Sequence, residues 1–347
     1  MDIKDLLCIN ATDKHSGVGN YAMMIEELLG KGKVATLVMD KRKSSWDYPG
    51  KVYNGFFPPV TSGWKINSKF YRTVFRIKGL AIPNFVHLLD VMALMPDKRQ
   101  RGIVTVHDLY HDRRSYSSNE EGRKFLEKLI NRLLNWEYIL SDSHATKEEL
   151  LQLGFREDRI SVIHLALRDG IWFRMGEKEL ETALKQYFPS LQEVNKPIVL
   201  TVGDATQKHN DLTNQAAGED YFHIHVGKDV KADLNVQGIP DEQLRILFNI
   251  ASVYVRPTDF EGFGLPAIEA LMCGTPSVVS DIPVYHETLG NSGVYAEVDK
   301  ASVAEKIGYA IDHRIDLIRA FDTSRRDYYS IKRFNAEMLD YYGKVTP

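Results

Sequence analysis

Short apolar runs recur along the chain, and helical patterns fill the intervals between them. DLLCIN (5–10), KVATLVMD (33–40), NFVHLLD (84–90), GIVTVHD (102–108), WEYILSDS (136–143) and RISVIHL (159–165) read as strands. Helical patterns stand at 18–29, 119–134 and 144–153, the last with Ser143 or Thr146 as its cap. A second series follows: PIVLTVGD (197–204), YFHIHVGK (221–228), ASVYVRP (251–257) and TPSVVSD (275–281). Its helical patterns fall at 241–251, 266–273, 301–312 and 320–342. Alternation of this kind needs a parallel sheet wrapped by helices. The chain therefore reads as α/β, with two Rossmann-like domains in tandem. The first spans 1–165, a linker follows at 166–196, the second domain spans 197–320, and 321–347 is a helical tail able to pack back on the first. The stretch 210–237 is short for a full pair of β-α units, so a trimmed second domain is expected there.

Composition narrows the class. At 347 residues, two domains fit a prior of roughly 150 residues each. The chain is 44% hydrophobic and 26% charged, ordinary for a globular protein. No apolar run approaches the roughly 18 residues of a transmembrane helix. MDIKDLLCIN lacks a basic segment followed by an apolar core, so no signal peptide is expected. The two cysteines, Cys8 and Cys273, stand in apolar runs, which suits a reducing cytoplasm and offers no metal site. The net charge of −3 conceals an asymmetry: residues 1–165 carry +5 and the remainder −8. A basic first half suits an anionic acceptor, a membrane surface or nucleic acid, with chance surface variation as the lesser alternative.

In open α/β sheets ligands bind beyond the carboxyl ends of the strands. Two such sheets facing each other would enclose a cleft. The most telling strand end is TDFEGFGLPAIEALMCGTP (258–276). Gly262 and Gly264 let backbone approach a ligand, and Pro266 suits the first helical turn, where its missing N–H costs nothing. The open N–H groups and the positive helix end then form an anion site suited to a diphosphate. Glu269 is the only charge in an otherwise apolar helix. It either caps that helix or accepts hydroxyls of a ribose beside the diphosphate.

The stretch EGFGLPAIEALMCGTPSVVSDIPVYHETLGNSGVYAE resembles the donor-site signature of the family 4 retaining glycosyltransferases, which have the GT-B fold. The signature is E-x7-E, here Glu261 and Glu269, followed by a small-residue helix and CGTP. GVGNYAMMIEELL is similar to that family's first loop and helix, IVTVHDL to one of its strand ends, and ILSDSHATKEELLQLGFREDRISVI to the close of its first domain. The resemblance implies two Rossmann-like α/β domains facing across a cleft. It implies that Glu269 binds the donor ribose and that the amides of Phe263, Gly264 and Leu265 hold the diphosphate. Glu261 would contact hydroxyls of the transferred sugar. Gly17 and Gly19 would face the diphosphate and acceptor, and His107 would hydrogen-bond the donor sugar.

One departure stands out. Where the family carries an Arg-Lys-Asn run after a strand, this chain has VGDATQKHN. Lys208 falls on the Arg position and His209 on the Lys position. Lys208 serves as a point charge, whereas His209 helps only when protonated. His107 and His111, four apart at a strand-to-loop junction, do not align as metal ligands, and no Asp-x-Asp motif stands out. The segment WKINSKFYRTVFRIKG (64–79) has five basic residues, no acidic ones and four aromatics, a pattern for an anionic membrane surface, an acceptor patch or a solvated face.

The expected activity is transfer of a hexose-type sugar from a nucleoside-diphosphate sugar to an acceptor hydroxyl with retention. The acceptor would be a glycan, a lipid-linked chain or a small molecule. The expected enzyme is cytoplasmic, peripheral at the inner membrane face through 64–79, and needs neither metal nor cofactor beyond its donor substrate. Catalysis would fall to His107 and Glu261. Donor binding would fall to Gly17, Gly19, Lys208, His209, Phe263, Gly264, Leu265 and Glu269. A nucleotide-sugar-binding subunit without turnover is one alternative. A glycosyltransferase acting on nucleic acid, the least favoured partner, is the other.

Overall fold

A computed structural model of the chain describes residues 6–10, 16–38, 50–54, 76–77, 79–80, 83–91, 101–109, 120–203, 209–228 and 231–347. The basic segment 64–79 lies almost wholly outside the described residues, as does Lys208. The chain divides into two compact units, Met1–Leu165 with Lys332–Pro347, and Ala166–Ile331.

The first unit is built on β1 (Leu7–Asn10), β2 (Val34–Val38), β3 (Lys51–Asn54), β4 (Val86–Leu88), β5 (Gly102–Val106), β6 (Tyr138–Ser141) and β7 (Ile160–Val162). They lie in the order β3-β2-β1-β4-β5-β6-β7, with every pair parallel. The chain's order reverses between β1 and β4. Helices α1 (Gly17–Leu29), α2 (Glu120–Leu134) and α3 (His144–Gln152) make the crossovers from β1 to β2, β5 to β6 and β6 to β7. Ser16 caps α1 by accepting from the Gly19 amide at 3.0 Å, and Ser143 caps α3 through the Thr146 amide at 3.1 Å. Ile9, Leu88, Val104 and Val106 pack with Leu129 and Leu133 of α2 in one core.

The second unit carries β8 (Ile198–Val202), β9 (Phe222–Val226), β10 (Leu234–Val236), β11 (Val253–Arg256), β12 (Ser277–Ser280) and β13 (Gly293–Ala296). Their order is β10-β9-β8-β11-β12-β13, again wholly parallel, and the reversal lies between β8 and β11. Helix α4 (Glu177–Tyr187) precedes this sheet; α5 (Asn210–Ala217), α6 (Asp241–Ile250), α7 (Leu265–Met272), α8 (Pro283–Leu289), α9 (Lys300–Asp312) and α10 (Arg314–Ser324) follow in chain order. Strands β11 and β12 are buried at every position, as befits a parallel sheet covered on both faces.

Two expectations about organisation change and one holds. Residues 166–196 are not a linker but part of the second unit: they form α4, bury Trp172 edge-on to Phe248 at 5.7 Å, and bury Leu191. The trimming expected over 210–237 is present: α5 and β9 fit there, but β9 leads to the short edge strand β10 with no helix between them among the described residues. The helix expected over 320–342 is two helices, α10 and α11 (Ile331–Val345). The break follows from Tyr329, which is buried beside Phe321 and donates its hydroxyl to the Thr288 carbonyl at 2.5 Å. Helix α11 returns to the first unit with Phe334, Met338 and Tyr342 buried on one stripe at a four-residue spacing.

Candidate active site

In the second unit the reversal of strand order sets β8 beside β11, and a crevice at such a point is where open α/β sheets take ligands. Arg256 ends β11 with its side chain 2% exposed. Its Nη1 donates to the Val202 carbonyl at the end of β8 at 2.5 Å. Its Nη2 and Nε donate to Glu261 Oε2 at 3.0 and 3.3 Å. Glu261 thus sits on the loop between β11 and α7, its side chain 21% exposed.

That loop enters α7 through Gly264, at φ 87° and ψ 37°. A Cβ there would lie 2.6 Å from the Tyr285 ring, so both backbone and space demand glycine. Pro266 occupies the second helical position, and no side chain caps the helix. The Phe263 ring is spent on packing, edge-on to Tyr329 at 6.1 Å, so only its backbone is a candidate for ligand contact. Leu265 opens the helix.

Glu269 does not cap its own helix. It is 6% exposed, and among the described residues no hydrogen bond is found to its carboxylate. Burial, reinforced by the charge of Asp241 and opposed by Arg168, pushes its carboxyl up to about 8. Arg168 itself is engaged by Asp241 in an ion pair. His209 precedes α5 in the left-handed conformation, φ 40° and ψ 40°, uncommon for a residue with a side chain. Its Nε2 lies 2.8 Å from Asp259 Oδ1, which ties the loop after β8 to the loop after β11.

In the first unit His107 follows β5 and is nearly buried. Its Nδ1 donates to Asp142 Oδ2 at 2.9 Å and its Nε2 to the Leu89 carbonyl at 3.0 Å. A ring that donates from both nitrogens is an imidazolium. Burial works against that charge, yet the Asp142 contact, Asp90 and the Leu89 carbonyl outweigh it and raise the group to about 9. Tyr21 stands edge-on to His107 at 5.1 Å and shares a 3.1 Å hydrogen bond with Thr105. Thr105 also meets His87 Nε2 at 2.8 Å, and His87 Nδ1 lies 2.8 Å from the Tyr342 hydroxyl. Burial and the nearby His107 charge drive His87 down to about 3, so it is neutral. Gly17 has ordinary backbone and open space where a side chain would project. The Gly19 amide is used by Ser16.

Sequence reasoning missed Arg256, Asp142, Asp259 and Arg168. A charge inside the apolar strand ASVYVRP was the available signal for Arg256. The others pair with residues far away in sequence and leave no local trace.

Residues 228–327, a span that encloses Glu261 and Glu269, match the family described as glycosyl transferases group 1. The chain is 25% identical to O-antigen chain mannosyltransferase RfbU of Salmonella typhimurium over 263 residues, 68% of each protein. Its fold is similar to sucrose-phosphate synthase from Thermosynechococcus elongatus, with TM-score 0.75, 16% identity and 98% of each chain covered. It is also similar to Anabaena Alr3699/HepE in complex with UDP-glucose, with TM-score 0.76, 12% identity, and 98% of this chain and 99% of that one covered. The fold is GT-B, and these findings together support a glycosyltransferase.

Proposed function

We propose that the chain is a retaining hexosyltransferase that moves a mannose-type sugar from a nucleoside-diphosphate sugar to a hydroxyl of a glycan acceptor. The observation that carries this reading is the buried Glu269, without a hydrogen bond to its carboxylate among the described residues, one turn inside an uncapped helix at the switch point, within the matched span. A carboxyl kept there against its solvation cost suits a ligand that brings its own hydroxyls. Glu269 accepts the ribose hydroxyls, and the amides of Phe263, Gly264 and Leu265 hold the diphosphate with Lys208. The relative named a mannosyltransferase supports the sugar, and the neighbour bound to UDP-glucose supports the class of donor.

Glu261, held by Arg256, contacts the transferred sugar. In the first unit, His107 offers its Nε2–H to a sugar hydroxyl in place of the Leu89 carbonyl. Gly17 leaves room beside the first loop for donor or acceptor. Catalysis rests on positioning and on stabilising the departing diphosphate, whose oxygen takes the acceptor's proton on the same face. The reaction uses no metal and no cofactor beyond the donor. We place the enzyme in the cytoplasm, peripheral at the inner membrane face through 64–79, whose five basic residues and four aromatics suit an anionic surface.

The test is thermal-shift screening against UDP, GDP, ADP and their sugars, followed by NMR of the product's anomeric configuration. Stabilisation by one nucleotide and a retained configuration are expected. Indifference to all three nucleotides refutes donor binding, and an inverted product refutes retention. A second reading, a sugar-nucleotide-binding subunit without turnover, draws on His209, whose Nε2 is paired with a carboxylate and adds no net charge for a diphosphate. Release of nucleoside diphosphate from the donor in the presence of a cell extract separates the two.

A further inference from the structure

Among the described residues Arg256 is the largest side chain to be almost completely buried. Removing a guanidinium from water is expensive, and an apolar side chain of similar volume is often neutral or better for stability. The neighbouring positions of β11, Val253, Tyr254 and Val255, are fully buried and carry no charge, so the strand does not need one to pack. The arginine stands instead at the strand's carboxyl end, on the side where ligands bind.

Its partners are unequal in kind. The Val202 carbonyl belongs to β8, across the switch point, and anchors the guanidinium independently of Glu261. Tyr254 and Tyr285 flank it. Glu261 receives two N–H groups on one oxygen, yet its side chain still reaches solvent at 21% exposure. A buried pair made only for stability would enclose both charges. Here a buried cation grips a carboxylate that faces outward, on the loop that leads into the uncapped helix.

We propose that Arg256 is the positioning residue for Glu261. It fixes one carboxylate oxygen to the sheet so that the group meets the transferred sugar in a single orientation. The proposal rests on the reading of Glu261 as a sugar contact. The arginine touches no reacting atom itself; it acts through the carboxylate. A ligand-contacting group that is free to swing by about 1 Å loses on the order of 100-fold in rate.

The test uses the full chain with four variants: Arg256→Met, Arg256→Lys, Glu261→Gln and the double variant Arg256→Met/Glu261→Gln. GDP and UDP affinities are measured by calorimetry. Turnover is followed as release of GDP from GDP-mannose and of UDP from UDP-glucose, with kcat and KM separated. We expect Arg256→Met and Glu261→Gln each to lower kcat by about 100-fold while affinity for the bare nucleotide stays within about threefold. Arg256→Lys keeps the charge but not the fork, so its loss is smaller. The double variant is no slower than the slower single one, because both remove the same interaction. A wild-type kcat in Arg256→Met beside a crippled Glu261→Gln overturns the proposal, and so do losses that multiply in the double variant. A wild-type rate in Glu261→Gln refutes the sugar-contact reading beneath it instead. Should Arg256→Met fail to fold, a wild-type kcat in Arg256→Lys overturns the proposal.

Discussion

Replacing Glu269 by Gln should make the protein more stable and worse at its task. The wild-type carboxyl is pushed from the usual 4.5 up to about 8, first by burial and then by Asp241, against the pull of Arg168. A folded state that holds a proton more tightly than the unfolded one is favoured at low pH. Below about 4.5 the protonated group costs nothing. Between 4.5 and about 8 stability falls by about 1.4 kcal/mol per pH unit, and above 8 the loss is complete. The whole displacement corresponds to about 5 kcal/mol, and about 3 kcal/mol of it has accrued by pH 7. Gln keeps the shape and cannot ionise. Urea unfolding of both proteins at intervals from pH 5 to 9 should therefore give curves that diverge, the variant gaining with each step up to pH 8. In calorimetry above pH 8, where the wild-type carboxyl is ionised, the same variant should bind nucleoside diphosphate about 1.5–3 kcal/mol more weakly, the range for hydrogen bonds to a charged group. Parallel stability curves would show that the carboxylate is solvated and not held against its chemistry. Divergent curves with unchanged nucleotide affinity would sink the ribose role alone.

Other outcomes follow from the same structure. His107, raised to about 9 by its contact with Asp142 despite burial, contributes about 3 kcal/mol below its usual 6.5, and this is lost as pH rises to 9. His107→Gln should flatten the stability curve between pH 6.5 and 9, a window that survives in Glu269→Gln; an unchanged slope refutes the imidazolium. Gly264→Ala adds a Cβ at φ 87° and 2.6 Å from Tyr285, so a loss of about 2–4 kcal/mol is expected, and a loss below about 1 kcal/mol in chemical denaturation contradicts it. Tyr342→Phe leaves His87 Nδ1 buried without its 2.8 Å partner and should cost about 1–2 kcal/mol, measured the same way; no change would mean the pair is dispensable. The 64–79 segment predicts co-sedimentation with anionic vesicles that falls as salt rises, and indifference to such vesicles at low salt assigns that charge to another task.

The fold was readable because parallel strands and their helices announce themselves locally. The buried strands of the second sheet centre on apolar letters, VYV in β11 and VV in β12, and the helix after β13 has its own period. What escaped was short or decided by distant contacts. Strands β3 and β10, of four and three residues, are held by a neighbour rather than by their own pattern. The break between α10 and α11 depends on Tyr329 finding the Thr288 carbonyl 41 positions away. Nothing near Tyr329 in the sequence records that partner.

The site divides along the same line. Gly264, Pro266 and Glu269 were legible because a turn, a helix start and an isolated charge are local statements. Their surroundings were not. His107 reads in sequence as a strand-end histidine, and its chemistry depends on Asp142, 35 positions later, and on the carbonyl of Leu89. His209 stands where a phosphate-binding cation is expected, but its ring nitrogen faces Asp259, 50 positions on. Arg256 lies between these cases. Its letter is conspicuous in an apolar strand, while its meaning appears only when β8 is set beside β11, because that adjacency supplies the Val202 carbonyl. A charge in a core strand is thus a question that sequence can pose. The answer required the strand order, which converts a costly buried cation into a fixed support for a carboxylate at the place where the sheet opens.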